Sequence, residues 1–114
     1  MSKTDDFHKE RERLNNLVLS KSGVSTKRFF NLDWQIYKEG TVSAKMKELM
    51  GLVASMVLRC DDCILYHLTQ CKTLGVNDNE LEESIAVALA VGGSITIPHI
   101  RRAWDAWVSM ESKE

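Results

Sequence analysis

Apolar residues recur three and four positions apart along much of this chain, as they do in a helix with one face against a core. The clearest stretch contains Leu49, Leu52, Val53, Met56 and Val57. Similar stripes cover residues 81–89 and 100–108. No segment shows the strand-like alternation of apolar and polar residues bounded by turns. The periodicity therefore predicts an all-α fold.

Turn and cap signals divide the chain between these stripes. Gly40 precedes the stripe at residue 49, and Gly75 follows the segment that carries the cysteines. Asn77 with Glu80 three residues later resembles a capping box that opens another helix. We expect five or six helices with short loops, in a single compact domain over residues 1–114.

Length and composition agree with one small soluble domain. The chain has 114 residues and a net charge of −1, without the basic surplus typical of nucleic-acid-binding proteins. Residues 1–20 predict a charged N-terminal helix rather than a secretory signal. The longest apolar run, residues 85–91, is far shorter than the roughly 20 residues of a membrane helix. We expect a cytoplasmic protein that binds neither nucleic acid nor membranes.

The sequence R-C-D-D-C-I-L-Y-H, residues 59–67, is the stretch that carries chemistry. Cys60 and Cys63 are three positions apart, so at the start of a helix their sulfurs can approach and form a disulfide. His67 lies four residues after Cys63, on the same helical face one turn later. A nearby imidazole can take a thiol proton or stabilise the thiolate. This pattern indicates redox or metal chemistry, because cysteines in the cytoplasm are normally reduced.

The charges around the pair act in opposite directions. Amide groups at a helix N-terminus favour a thiolate, whereas Asp61 and Asp62 disfavour a second negative charge. Arg59 can offset part of their effect. The sequence leaves this balance open.

Zinc is the main alternative use of these residues. Cys60, Cys63, His67 and Cys71 are all suitable ligand types. On a continuous helix, however, Cys60 and Cys71 lie about 16 Å apart along the axis, at roughly 1.5 Å per residue. One ion with bonds of about 2.0–2.3 Å cannot reach both. We therefore expect no metal and no cofactor, and we interpret Cys71 as a packing residue.

A carboxylate upstream extends the motif. Glu48 is followed, after eleven intervening residues, by Cys60-x-x-Cys63 and then by x-x-x-His67. This spacing resembles that of the alkylhydroperoxidase-D-like, or carboxymuconolactone decarboxylase, family, with residues 40–108 as the family core. The resemblance implies an alkylhydroperoxidase-D-like all-α domain that assembles into trimers or hexamers. It also implies the redox branch, which keeps both cysteines.

The resemblance implies a role for each residue of the motif. Cys63 would attack a hydroperoxide, Cys60 would resolve the product into a disulfide, and His67 would pass the proton with Glu48 behind it. The substrate would be an alkyl hydroperoxide or a disulfide, and a thiol protein would return the electrons. Without the resemblance, Glu48 would be interpreted as a surface carboxylate near Lys45 and Lys47.

Two departures from the family pattern leave other functions open. Asp62 stands where the family's peroxidases carry a histidine, and an ionised acid cannot form the same hydrogen bonds. Cys71 stands where alanine is usual. The alternatives are a decarboxylase or lyase of the carboxymuconolactone type, which is indifferent to the cysteines, and a non-catalytic redox-sensing oligomer.

The remaining histidines and the tryptophans are interpreted structurally. We expect His8 to be solvated within its charged segment and His99 to be a helix-start residue rather than a ligand. Trp34, Trp104 and Trp107 are expected in the core or at subunit contacts.

Overall fold

The computed structural model describes residues 3–111, and in this range it contains helices and no strand. The all-α prediction is confirmed, and the six α-helices lie within the expected number. They are α1 (Lys3–Lys21), α2 (Val24–Ile36), α3 (Ala44–Val57), α4 (Asp61–Thr73), α5 (Asp78–Gly92) and α6 (Ile97–Glu111), with a short 3-10 helix (Ser94–Thr96) before α6. The predicted N-terminal helix is found as α1, while residues 1 and 2 lie outside the described range.

The helix ends follow the signals in the sequence. Asn77 and Glu80 form the predicted capping box at the start of α5. Gly75 ends α4 with a left-handed φ of 84°, a conformation that glycine adopts without steric cost. Ser43 caps α3 by accepting a hydrogen bond from the backbone N–H of Met46. These local devices fix where α3 and α5 begin and where α4 ends.

The core lies between α3, α4, α5 and α6. Its buried apolar residues come mainly from the predicted stripes: Leu52, Met56, Ile64, Leu68, Cys71, Val76, Leu81, Ile85, Ala88, Ala103 and Trp107. Trp107 is fully buried, and its indole Nε1 donates a hydrogen bond to Asp78 Oδ1 at 2.8 Å. Trp104 packs against this core while remaining partly exposed. The core fixes α3 against α4, and these two helices carry the predicted site.

On the outer helices one prediction is wrong, and for a second the core is excluded while a subunit contact stays a prediction. On α1, His8 is partly buried, and its Nε2 lies 2.7 Å from Thr69 Oγ1 on α4, so the prediction of a solvated histidine is wrong. On α2, Trp34 is 60% exposed and does not belong to the core. Large apolar side chains that are more than half exposed line α2: Val24, Phe29, Leu32, Trp34 and Ile36. The α2 helix therefore leaves much of its apolar surface uncovered by this chain.

No helix within residues 3–111 combines the length and the apolar character needed to cross a membrane.

Candidate active site

The cysteine pair lies at the start of α4. Cys60 is the N-cap residue, and its Sγ accepts a hydrogen bond from the backbone N–H of Cys63 at 3.3 Å. Arg59, directly before it, has a left-handed φ of 59°, which sets the sharp turn between α3 and α4. Both cysteines carry free thiols; Cys60 is half-buried and Cys63 is exposed. The pair therefore lies at a helix N-terminus with one sulfur open to solvent.

The two thiols are electrostatically linked. The side-chain hydrogen bond with Cys60 is the main reason why the pKa of Cys63 is raised, to about 11, and partial burial and the charge of Asp62 add to the effect. Cys63 thus keeps its proton at neutral pH in the dithiol form. Attack by its sulfur requires a base that removes the proton.

A buried histidine and carboxylate lie one helical turn beyond the pair. His67 Nδ1 on α4 is 2.7 Å from Glu48 Oε1 on α3, and the two residues are only 8% and 4% exposed. A carboxylate oxygen accepts, so Nδ1 is the donor in this contact and Nε2 is the ring nitrogen left for proton exchange. The interpretation of Glu48 as a surface carboxylate is wrong. Lys45 instead pairs with Glu80, and Lys47 binds backbone carbonyls.

Two tyrosines and a glycine shape the surroundings of His67. The rings of Tyr37 and Tyr66 lie 5.2 and 5.3 Å from the imidazole, centroid to centroid. Burial, followed by nearby charges that include Glu48, raises the pKa of Tyr37 and keeps its hydroxyl protonated. At Gly51, a Cβ would lie 2.7 Å from His67 Cε1, so only glycine leaves room for the ring. We did not predict these residues, although a glycine inside the α3 stripe is a signal of close packing.

The other candidate ligands do not join the pair. Cys71 is fully buried in the core, and burial raises its pKa to about 12, in agreement with its predicted packing role. Across the described part of the chain, no three His, Cys, Asp or Glu side chains are placed to hold a metal ion. The four potential zinc ligands therefore do not form one cluster.

His99 begins α6 as expected, but it also contacts the cysteine motif. Its Nδ1 lies 2.7 Å from Asp61 Oδ1, and Arg102 Nη2 lies 3.0 Å from Asp61 Oδ2. We expected Asp61 only as an unfavourable charge and did not predict this cluster. The contact joins residues 38 positions apart, so local sequence carries no signal for it.

A cavity of about 500 Å³ opens beside Glu48, on the side of α1 and α2. Its walls include Trp34 and Tyr66, together with the cationic side chains of Arg11 and Lys38. Cysteine is not among the residues that line it. The cavity therefore borders the carboxylate of the site, and neither thiol of the pair lines it.

Comparison with known proteins assigns the family. The sequence model of the carboxymuconolactone decarboxylase family matches residues 25–106, which is most of the chain. The chain belongs to this family. An uncharacterized protein of Cupriavidus necator is 30% identical over 56 residues, or 49% of this chain and 50% of that protein. The chain thus matches about half the length of this curated relative.

Solved structures agree with the assignment. A crystal structure of TM1620 from Thermotoga maritima is 52% identical, covers 95% of both chains and superposes with a TM-score of 0.93. A second TM1620 structure, 51% identical, covers 94% of this chain and 91% of its own at a TM-score of 0.90. It is described as a carboxymuconolactone decarboxylase family protein with a suggested role in the antioxidative response. A family member from Legionella pneumophila, only 21% identical, shares the fold over 96% of this chain and 97% of its own, at a TM-score of 0.86.

We predict that Gly51→Ala displaces the His67 ring, because the new methyl group would overlap Cε1. The measurement is the pH titration of the His67 ring protons by NMR, together with thermal unfolding. Gly23→Ala is the matched control, since a Cβ there meets no atom within 4 Å. Unchanged His67 resonances in Gly51→Ala would contradict the packing described.

We also predict that Cys60→Ser lowers the pKa of Cys63 towards the ordinary thiol value, because the sulfur partner that holds its proton is lost while a hydroxyl still caps α4. Alkylation of Cys63 by iodoacetamide at pH 8 should accelerate at least about tenfold, since the thiolate is the reactive form. Peptide mass spectrometry follows the rate at Cys63 alone. Cys71→Ala should leave this rate unchanged. An equal rate in Cys60→Ser and the parent protein would show that the two thiols are not linked.

Proposed function

We propose that this protein is a thiol-dependent redox enzyme that reduces hydroperoxides or disulfides through a dithiol–disulfide cycle of Cys60 and Cys63. The observation that carries the proposal is the cysteine pair at the start of α4, with the buried His67–Glu48 pair one turn further on. The suggested antioxidative role of TM1620, at 52% identity, supports the same reading. The cycle suits the reducing cytoplasm, where thiol donors are available.

In the proposed cycle with a hydroperoxide, His67 Nε2 takes the proton of Cys63, directly or through a water. The Cys63 thiolate then attacks the terminal oxygen, the O–O bond breaks, and the alcohol leaves with that proton. Cys63 is now a sulfenic acid, and the sulfur of Cys60 attacks it to form the disulfide and release water. A dithiol donor afterwards reduces the disulfide by thiol–disulfide exchange. Peroxide and dithiol are thus converted into alcohol, water and disulfide.

The raised pKa of Cys63 favours a peroxidase of moderate activity. The hydrogen bond with Cys60, partial burial and then the charge of Asp62 raise the pKa of Cys63, and Asp62 replaces the histidine expected in the family's peroxidases. His67 must therefore remove a tightly held proton before each attack. A disulfide substrate would meet the same requirement, so both substrate classes belong to the proposal.

The deciding experiment counts thiols by mass spectrometry before and after one equivalent of an organic hydroperoxide. We expect the rapid loss of two hydrogens, a Cys60–Cys63 linkage, and reversal by a dithiol. Cys60→Ser and Cys63→Ser should each abolish turnover, whereas Cys71→Ala should retain it. Turnover in either of the first two variants would overturn the mechanism. A disulfide that forms without turnover on any peroxide or disulfide substrate would instead favour the redox sensor.

The cavity beside Glu48 favours one alternative, a lyase or decarboxylase that acts on a small substrate. Arg11 and Lys38 supply cations opposite the acids Asp33 and Glu48, Glu48 can serve as an acid–base group, and the thiols lie outside the lining. Such an activity would survive both cysteine substitutions and be lost in Glu48→Gln. The same set of variants therefore separates the two functions.

We further propose that the protein acts as a homo-oligomer. A groove of about 680 Å³ between α3 and α5 is lined almost entirely by apolar side chains, including Met46, Met50, Val53 and Val87. The 13-residue α2 exposes a second apolar face, and a helix of that length is marginal in water without packing. Covering both faces with further copies of this chain would remove this surface from solvent.

We predict that Met50→Glu shifts the protein towards monomer, because it places a charge in the apolar groove. Light scattering at micromolar concentration measures the mass. Val108→Glu is the control, since Val108 is similarly exposed but lies on α6, outside the groove. A monomeric parent protein would contradict the proposed assembly.

A further inference from the structure

Asp61 is an acidic residue in the same turn of chain as the two cysteines. It follows the N-cap residue Cys60 directly and is the first residue of α4. A negative charge there disfavours a thiolate, since two like charges would have to be brought close together. Asp62, its neighbour, acts in this way on Cys63.

Two side chains from α6 hold both oxygens of the Asp61 carboxylate. His99 Nδ1 lies 2.7 Å from Oδ1, and Arg102 Nη2 lies 3.0 Å from Oδ2. Because the carboxylate can only accept, Nδ1 carries the proton in this contact, and Arg102 approaches Nδ1 at 3.2 Å as part of the same cluster. One carboxylate is therefore matched by a permanent cation and a hydrogen-bond donor.

The pKa of the Asp61 carboxyl group agrees with this geometry. Partial burial raises the pKa of its carboxyl group, but the hydrogen bonds and charge of His99 and Arg102 outweigh burial and hold the pKa below the ordinary value. Asp61 is thus ionised at neutral pH, with its charge compensated from α6. Asp61 therefore brings no uncompensated charge to the N-terminus of α4.

We propose that His99 and Arg102 are positioning residues that neutralise Asp61 and so permit a thiolate to form at the Cys60–Cys63 pair. Neither residue touches the thiols in this role; both act through Asp61. The proposal rests on the proposed function only in taking this pair as the reacting centre. Thiol ionisation can be measured without any substrate, so the two ideas can fail separately.

The test is the thiolate absorbance at 240 nm during a pH titration, in a Cys71→Ala background that removes the third thiol. We expect Arg102→Gln to raise the first thiol pKa and to slow alkylation of the pair at pH 7.5 by several-fold. Asp61→Asn added to Arg102→Gln should restore both values to those of the parent, because the uncompensated charge is gone. Both side chains of the ion pair are partly exposed, at 58% and 44%, so 0.5 M salt should shrink the difference.

Two controls separate charge compensation from loss of structure. Arg101→Gln removes the same charge one position along α6, away from Asp61, and should leave the thiol pKa unchanged. His99→Asn places an amide nitrogen near the position of Nδ1 and should behave like the parent, whereas His99→Ala should raise the thiol pKa. If Asp61→Asn fails to rescue Arg102→Gln, or if Arg101→Gln has an equal effect, the proposal is wrong. Circular dichroism of each variant checks that the helices are retained.

Discussion

The hydrogen bond between His67 and Glu48 is the contact on which this structure and its proposed chemistry both depend. It joins the two central helices at a buried point, where each partner has given up its water. Removing one partner would leave the other buried without compensation, at a cost of about 3–5 kcal/mol if it stays charged. The pairing also fixes which imidazole nitrogen can accept a proton. Residues that shape this point, such as Gly51, therefore contribute to the site without taking part in the reaction.

Much of the fold could be predicted because its signals are local. Helical spacing, the capping box at Asn77 and the glycine after α4 each depend on a few neighbouring residues, and the structure confirms them. The family resemblance placed Glu48 in the predicted site. Without it, the nearby lysines Lys45 and Lys47 would have indicated a surface carboxylate. Its burial follows from the packing of α3 on α4, which turns one face of α3 towards His67.

The wrong predictions concern contacts between distant segments. His8 was expected in solvent because its own helix is charged, yet Thr69 on α4 supplies a partner. Asp61 and Asp62 are chemically identical neighbours, but only the packing of α6 decides which of them is paired with a cation. Trp34 was expected in the core or at a subunit contact, and the packing of this chain excludes only the core. Tertiary geometry, rather than residue type, separates these outcomes.

In the proposed cycle, Cys60 has two roles that oxidation would bring into conflict. In the dithiol form its sulfur caps α4, accepting the N–H of Cys63. A disulfide sulfur carries less negative charge to offer that amide, so the first turn of α4 is secured more weakly in the oxidised protein. Such linkage is reciprocal: any stability that the cap gives the helix in the reduced state also makes the disulfide a stronger oxidant, by about 20 mV per kcal/mol. The stability of this helical turn and the reduction potential of the pair are thus thermodynamically linked.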